Sequence, residues 1–209
     1  KPALSALWPN KKGMSVVLDL GANIECSVKN LVDFSIMGAS LYKSLYPEDN
    51  PNVALLNIGS EELKGNEVIK ETFQILNEKK SNNFNFGGYI EGNELMNGEV
   101  NVIVADGFTG NVALKTAEGT ANLIKKFFMD EFSLSLSGLF MGLLMRKKLR
   151  RLKERMDPRT LNGGVFVGLN GLVIKSHGSS DSKSFYSALK LAKNMFNTKS
   201  VQHTAKNLS

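Results

Sequence analysis

Val102-Ile103-Val104-Ala105-Asp106-Gly107-Phe108-Thr109-Gly110-Asn111 decides how this chain is read. It opens with an unbroken apolar run, the mark of a strand buried on both faces. A turn rich in Gly, Asp, Thr and Asn follows. From there apolar residues recur at helical spacing: Val112, Leu114 with Ala117, Ala121 with Leu123-Ile124, then Phe127-Phe128. Two earlier stretches repeat the layout. Val16-Val17-Leu18-Asp19-Leu20 leads into Gly21-Ala22-Asn23, and Val53-Ala54-Leu55-Leu56 leads into Asn57-Ile58-Gly59-Ser60 and then Lys64-Gly65-Asn66. Strand–turn–helix recurrence of this kind predicts an α/β fold, a mostly parallel sheet with helices on both faces. Ligands of such sheets sit outside the carboxyl ends of the strands. Glycine permits close backbone approach there, and a helix start adds unpaired donors and a favourable dipole. A site for a small anion, phosphate above all, is the expectation.

The spacing predicts strands near 15–20, 53–58 and 101–105, with a further extended piece near 84–90. Helices are predicted near 28–45, 66–79, 110–128 and 182–196, the first ending before Pro47. Val165–Leu169 and Leu172–Ile174 are short apolar pieces. Residues 1–196 read as a single α/β region, with 133–156 a protruding amphipathic basic segment and 197–209 a polar tail.

Composition narrows the classes. A chain of 209 residues, 42% hydrophobic, can bury a substantial core. It has no apolar run of the roughly 18 residues a spanning helix needs. The start, Lys1-Pro2-Ala3-Leu4, shows no apolar leader and no Met, so the chain is expected to begin inside a longer one. Cys26 is the single cysteine, which excludes an internal disulfide and fits a reducing cytosol. With two His and one Cys, no thiolate or imidazole metal site is expected, and no cofactor is called for. Charge is concentrated: residues 146–155 hold seven bases against one acid, a net +6, equal to that of the whole chain. The remainder is neutral. No aromatic side chain interleaves the basic strip, so a nucleic-acid platform is unsupported.

Several residues carry candidate chemistry, each beside a plainer reading. Thr109 and Asn111 are either hydrogen-bond donors to a ligand or helix caps. Lys64 is a point charge for phosphate or a solvated turn lysine. His177, in the loop 175–181, is a general acid or base, or a cap in a tight turn. Leu139, Phe140 and Leu143, followed by Arg146, Lys147, Lys148, Arg150 and Arg151, suit an anionic membrane surface or an acidic protein partner. They equally suit a packing helix with a solvated basic end.

Taken together, Asp19-Leu-Gly-Ala-Asn23, Leu56-Asn-Ile-Gly59 with Lys64-Gly-Asn66, Asp106-Gly-Phe-Thr-Gly-Asn-Val-Ala-Leu-Lys115 and His177-Gly-Ser-Ser resemble the acyl-ACP:phosphate acyltransferases of bacterial phospholipid synthesis. The motifs occur in that family's order over nearly the whole chain. Two of the family's motifs, a Met-Gly-Gly-Asp turn and a Gly-Asn-Thr-Gly-Ala loop, are not in it, so the resemblance is to the C-terminal part of such an enzyme. It implies a fold like the isocitrate/isopropylmalate dehydrogenases and phosphotransacetylases, usually as a homodimer. It also implies transfer of a fatty acyl group from acyl carrier protein to inorganic phosphate, in the cytoplasm at the inner face of the membrane. On this resemblance Lys64 and Asn111 are the expected catalytic residues, with His177 orienting groups or protonating the thiol. Asn23, Asn66, Gly107, Thr109 and Gly110 are expected to bind phosphate or substrate. Competing readings are a phosphotransacetylase-like enzyme using acyl-CoA and a membrane-surface scaffold without catalysis.

Overall fold

The computed structural model describes residues 1–47, 50–78, 81–133, 147, 163–176, 180–198, 201 and 204. In chain order the elements are β1 (Ala3–Pro9), β2 (Met14–Leu18), α1 (Val28–Leu45), β3 (Asn52–Asn57), α2 (Glu67–Glu78), β4 (Asn85–Glu91), β5 (Val102–Val104), α3 (Gly107–Ser133), β6 (Gly164–Val167), β7 (Val173–Lys175) and α4 (Ser182–Asn197). One seven-stranded sheet runs in the order β4-β3-β5-β2-β1-β6-β7. Strands β4, β3, β5 and β2 are mutually parallel, as their continuous apolar runs predict. The other half is antiparallel. The sheet is therefore mixed, and the parallel expectation holds for the half that carries the Gly/Asn loops.

Within the parallel half, Val16, Val102 and Val53 lie in one row across three strands, and Leu18, Val104 and Leu55 in the next. These residues share a core with Leu31, Phe34 and Met37 of α1 and Ile69 of α2, and the same cluster extends to Met195 of α4. The alternate residues Val17, Ala54 and Ile103 face the other way, against Ala113, Leu114 and Ala117 of α3. Helices thus cover both faces.

Local chemistry starts the helices. At α1 the Ser27 hydroxyl accepts from Asn30 N at 3.3 Å while Asn30 Oδ1 accepts from Ser27 N at 3.1 Å, a reciprocal cap. Asp181 caps α4 through Ser184 N at 2.8 Å. Packing of α1 on the sheet depends on Gly38, where a Cβ would stand 2.5 Å from Val102 Cγ1 and 2.9 Å from Leu18 Cδ2. Both neighbours are fully buried. Gly38→Ala should therefore lower stability by about 1–2 kcal/mol, overpacking outweighing the gain in helix propensity. Urea unfolding should show a lower midpoint with an unchanged slope.

Helix α3 outruns the sheet. From Glu118 to Asp130 every side chain is exposed, including Leu123, Ile124, Phe127, Phe128 and Met129. In the C-terminal stretch, Thr204 is helical and buried. Of the basic-strip residues, Lys147 is helical and exposed. Leu139, Phe140, Leu143, Arg146, Lys148, Arg150 and Arg151 lie outside the described residues, as does His177.

Candidate active site

Three loops leave the same edge of the sheet. Because β3, β5 and β2 are adjacent, parallel and in register, their carboxyl ends fall within about 10 Å of one another. The β3 loop is tied to the end of its own strand: Asn57 Nδ2 donates to Gly59 O and to Lys64 O, each at 3.1 Å. Gly65 adopts φ +94, and a Cβ there would stand 2.5 Å from Asn57 Oδ1, so the turn after Lys64 admits only glycine. Asn66 Oδ1 then accepts from Ile69 N at 2.9 Å, capping α2, while its amide nitrogen remains a donor on an exposed residue. Lys64 is exposed and takes part in none of the ion pairs among the described residues.

The β2 and β5 loops are locked together. Asp19 N donates to Ala105 O at 3.0 Å, and Ala105 N to Leu18 O at 2.7 Å, extending the parallel ladder into the loops. Asp106 caps α3, its Oδ1 accepting from Thr109 N at 2.8 Å and its Oδ2 from the Thr109 hydroxyl at 2.7 Å. Gly107 N donates to Asn23 O at 2.8 Å and Gly110 N to Asp106 O at 2.9 Å. Asn111 Nδ2 reaches back to Leu20 O at 3.2 Å. An amide nitrogen carries two hydrogens, so one Asn111 N–H is fixed by the loop and the other is a further donor.

The cap is therefore Asp106, not Thr109 or Asn111. The amides of Gly107 and Gly110 and the Thr109 hydroxyl all donate within the protein. Asn23 is similar: its Nδ2 donates to Pro2 O at 2.8 Å and to Asp19 Oδ2 at 2.9 Å. The glycines have a packing reason the sequence did not disclose. A Cβ on Gly110 would overlap the Asp19 carbonyl oxygen, and one on Gly107 would overlap that of Asn23. Thus Lys64, in the loop after β3, and Asn111, in the first turns of α3 after β5, both lie beyond the carboxyl edge of the parallel strands, the one tied to Asn57 and the other to Leu20 O.

Cys26 sits behind this rim, its Sγ 3.9 Å from Asn23 O. Burial pushes its thiol pKa up; the Gly107 amide opposes this, and the Asp19 and Asp106 carboxylates reinforce it. A thiol so placed is protonated near neutral pH, which argues against a nucleophilic role. The sequence reading passed over Asp19, Asn57 and Asp106 as structural anchors. A signal existed for each: a polar residue closing an apolar strand and opening a Gly-containing turn.

A mixed sheet whose parallel half ends in Gly- and Asn-rich loops defines the class: an α/β protein, of the kind whose ligands sit outside the carboxyl ends of the parallel strands. The comparisons narrow it to a family. A family model described as fatty acid synthesis protein matches residues 1–203, and the chain belongs to that family. It is 65% identical over 189 residues to a phosphate acyltransferase of Pelagibacter ubique, covering 90% of this chain and 57% of that protein. A phosphate acyltransferase of Maricaulis maris is 50% identical over 194 residues, covering 92% of this chain and 55% of that one. The chain thus spans little more than half the length of these relatives. A branched-chain phosphotransacylase from Enterococcus faecalis shares the fold, with TM-score 0.57, 16% identity, and coverage of 94% of this chain and 66% of that structure.

Proposed function

We propose that this chain forms the acyl-transfer region of a phosphate acyltransferase, which moves a fatty acyl group from acyl carrier protein to inorganic phosphate. The observation that carries the reading is the common carboxyl edge of β3 and β5, beyond which lie Lys64, in no ion pair among the described residues, and the half-committed Asn111 amide at the start of α3. Membership of the family and the printed names of the relatives support it.

The chemistry asks for alignment and charge stabilisation rather than an activated side-chain nucleophile. A phosphate oxygen attacks the thioester carbonyl carbon, and the tetrahedral oxyanion collapses with loss of the carrier thiolate. The new carbon–oxygen bond gives acyl phosphate. A thiolate with a parent pKa of about 8.5 leaves without obligatory protonation. In this scheme Lys64 neutralises phosphate or the oxyanion, and the second Asn111 N–H donates to the oxyanion. Asn66 offers its amide nitrogen to phosphate. Gly107, Thr109, Gly110 and Asn23 shape the rim against which the substrates align. His177 would orient groups or protonate the departing thiol.

The finer features belong to the same proposal: an isocitrate/isopropylmalate dehydrogenase-like topology, a C-terminal portion of a longer enzyme, a homodimer, and attachment to the inner face of the membrane. Residues 146–155 give a basic face for an acidic carrier protein or anionic lipid, and the exposed apolar end of α3 adds side chains able to insert. Double replacement of Phe127 and Phe128 by Glu should reduce co-sedimentation with anionic vesicles at least several-fold. Unchanged sedimentation would remove α3 from the membrane face.

The deciding assay supplies phosphate with long-chain acyl carrier protein or with acyl-CoA, and traps acyl phosphate as the hydroxamate. Faster formation from the carrier-protein thioester supports the proposal. Preference for acyl-CoA would replace it with the phosphotransacetylase-like alternative, and vesicle binding with no product from either would leave the scaffold reading.

A further inference from the structure

Asp19 is a carboxylate with no exposed surface, lying directly behind the rim. Four donors surround it. Leu4 N and Ala22 N donate to Oδ1 at 2.9 and 3.0 Å, and Asn23 N and Asn23 Nδ2 donate to Oδ2 at 2.7 and 2.9 Å. With each oxygen already accepting two bonds, it has no reach to substrate. A buried carboxylate is stable only where such donors meet it. The loop it gathers also fixes α3: Leu20 O receives Asn111, Asn23 O receives Gly107, and the Asp19 carbonyl lies against Gly110.

We propose that Asp19 is a positioning residue, whose carboxylate holds the 20–23 loop in the shape that sets where the Asn111 amide and the start of α3 stand at the rim. This rests on the reading of Asn111 as an oxyanion donor. The loop is a physical link, because the hydrogen bonds of Gly107 and Asn111 to this side of the sheet end on Asn23 O and Leu20 O.

Asp19→Asn tests it. An amide of the same size turns an NH2 toward two N–H donors whichever way it is rotated, so half the clamp is lost while volume is kept. In the purified protein at its native length, kcat for acyl-phosphate formation should fall at least 30-fold. Amide exchange at Ala22, Asn23 and Gly107 should quicken at least 10-fold, as should alkylation of Cys26. Exchange at Leu55 and Val104 in the core strands should not change. Wild-type kcat, or wild-type loop exchange and alkylation, would overturn the proposal; so would uniformly faster exchange through the core, which marks general destabilisation. Should Asp19→Asn not fold, Asn23→Ala removes one of the four bonds, together with the Asn23 bond to Pro2 O, and should lower kcat about 3- to 10-fold at unchanged KM for phosphate. A raised KM with unchanged kcat would instead make Asn23 a phosphate contact and overturn the clamp. If the unaltered protein forms no acyl phosphate, the assigned reaction fails, while loop exchange and Cys26 alkylation still decide whether Asp19 holds the rim.

Discussion

Gly110→Ala is expected to lower stability by about 3 kcal/mol or more and to cut acyl-phosphate formation at least 100-fold in the molecules that remain folded. The reason is local and steric. The added methyl would overlap the Asp19 carbonyl oxygen, a backbone atom that has no rotamer in which to move away. Asp19 is itself held by Ala105 O and by four donors to its carboxylate. Either α3 moves outward or the 19–23 loop gives way, and both displace Asn111. The same helix supplies a control. Gly119 is exposed with no neighbour within 4 Å of a built Cβ, so Gly119→Ala should stabilise by up to about 1 kcal/mol through helix propensity alone. Urea unfolding of the two variants should move in opposite directions; a shared direction would refute the packing argument.

Lys64→Ala and Asn111→Ala are expected to reduce kcat by about 100- to 1,000-fold each, the range seen when one charge-stabilising donor is removed. Their effects on stability should differ. Lys64 is exposed and in no ion pair among the described residues, so its removal should leave the unfolding midpoint nearly unchanged. Asn111→Ala leaves Leu20 O without its partner and should cost about 1 kcal/mol. Steady-state kinetics with saturating phosphate, beside denaturant unfolding, separates the two quantities. Near-normal turnover in both variants would remove them from the mechanism and reduce the rim to a structural junction.

The antiparallel half of the sheet was not legible in the chain. Ala3–Pro9 is no continuous apolar run, carries Ser5, and ends in Pro, so it does not stand out as a strand. It becomes one because β2 pairs along it after the Asn10–Gly13 turn and because β6, some 160 residues away, covers its other edge. For Asp19 the position was marked by the Gly-containing turn that follows it, but its partners were hidden. Written out, it is a charge in an apolar run; in three dimensions it is the junction to which Leu4, Ala22 and Asn23 all donate. Thr109 and Asn111 resembled caps because capping residues and ligand donors share the same chemistry, and only the geometry gives the cap to Asp106.

What the amino-acid order settled unaided is local: continuous apolar runs become strands buried on both faces, helical periodicity follows, and Gly with Asn closes each run. Three parallel strands with their loops at one edge follow from that; Lys64 and Asn111 stood out there as candidates, and the family resemblance singled them out. The folded chain alone decided the strand order, the antiparallel half, and which polar atoms near the rim are already engaged. Those outcomes depend on hydrogen bonds and close contacts between residues far apart in sequence, and no local pattern records which distant backbone atom a side chain will meet.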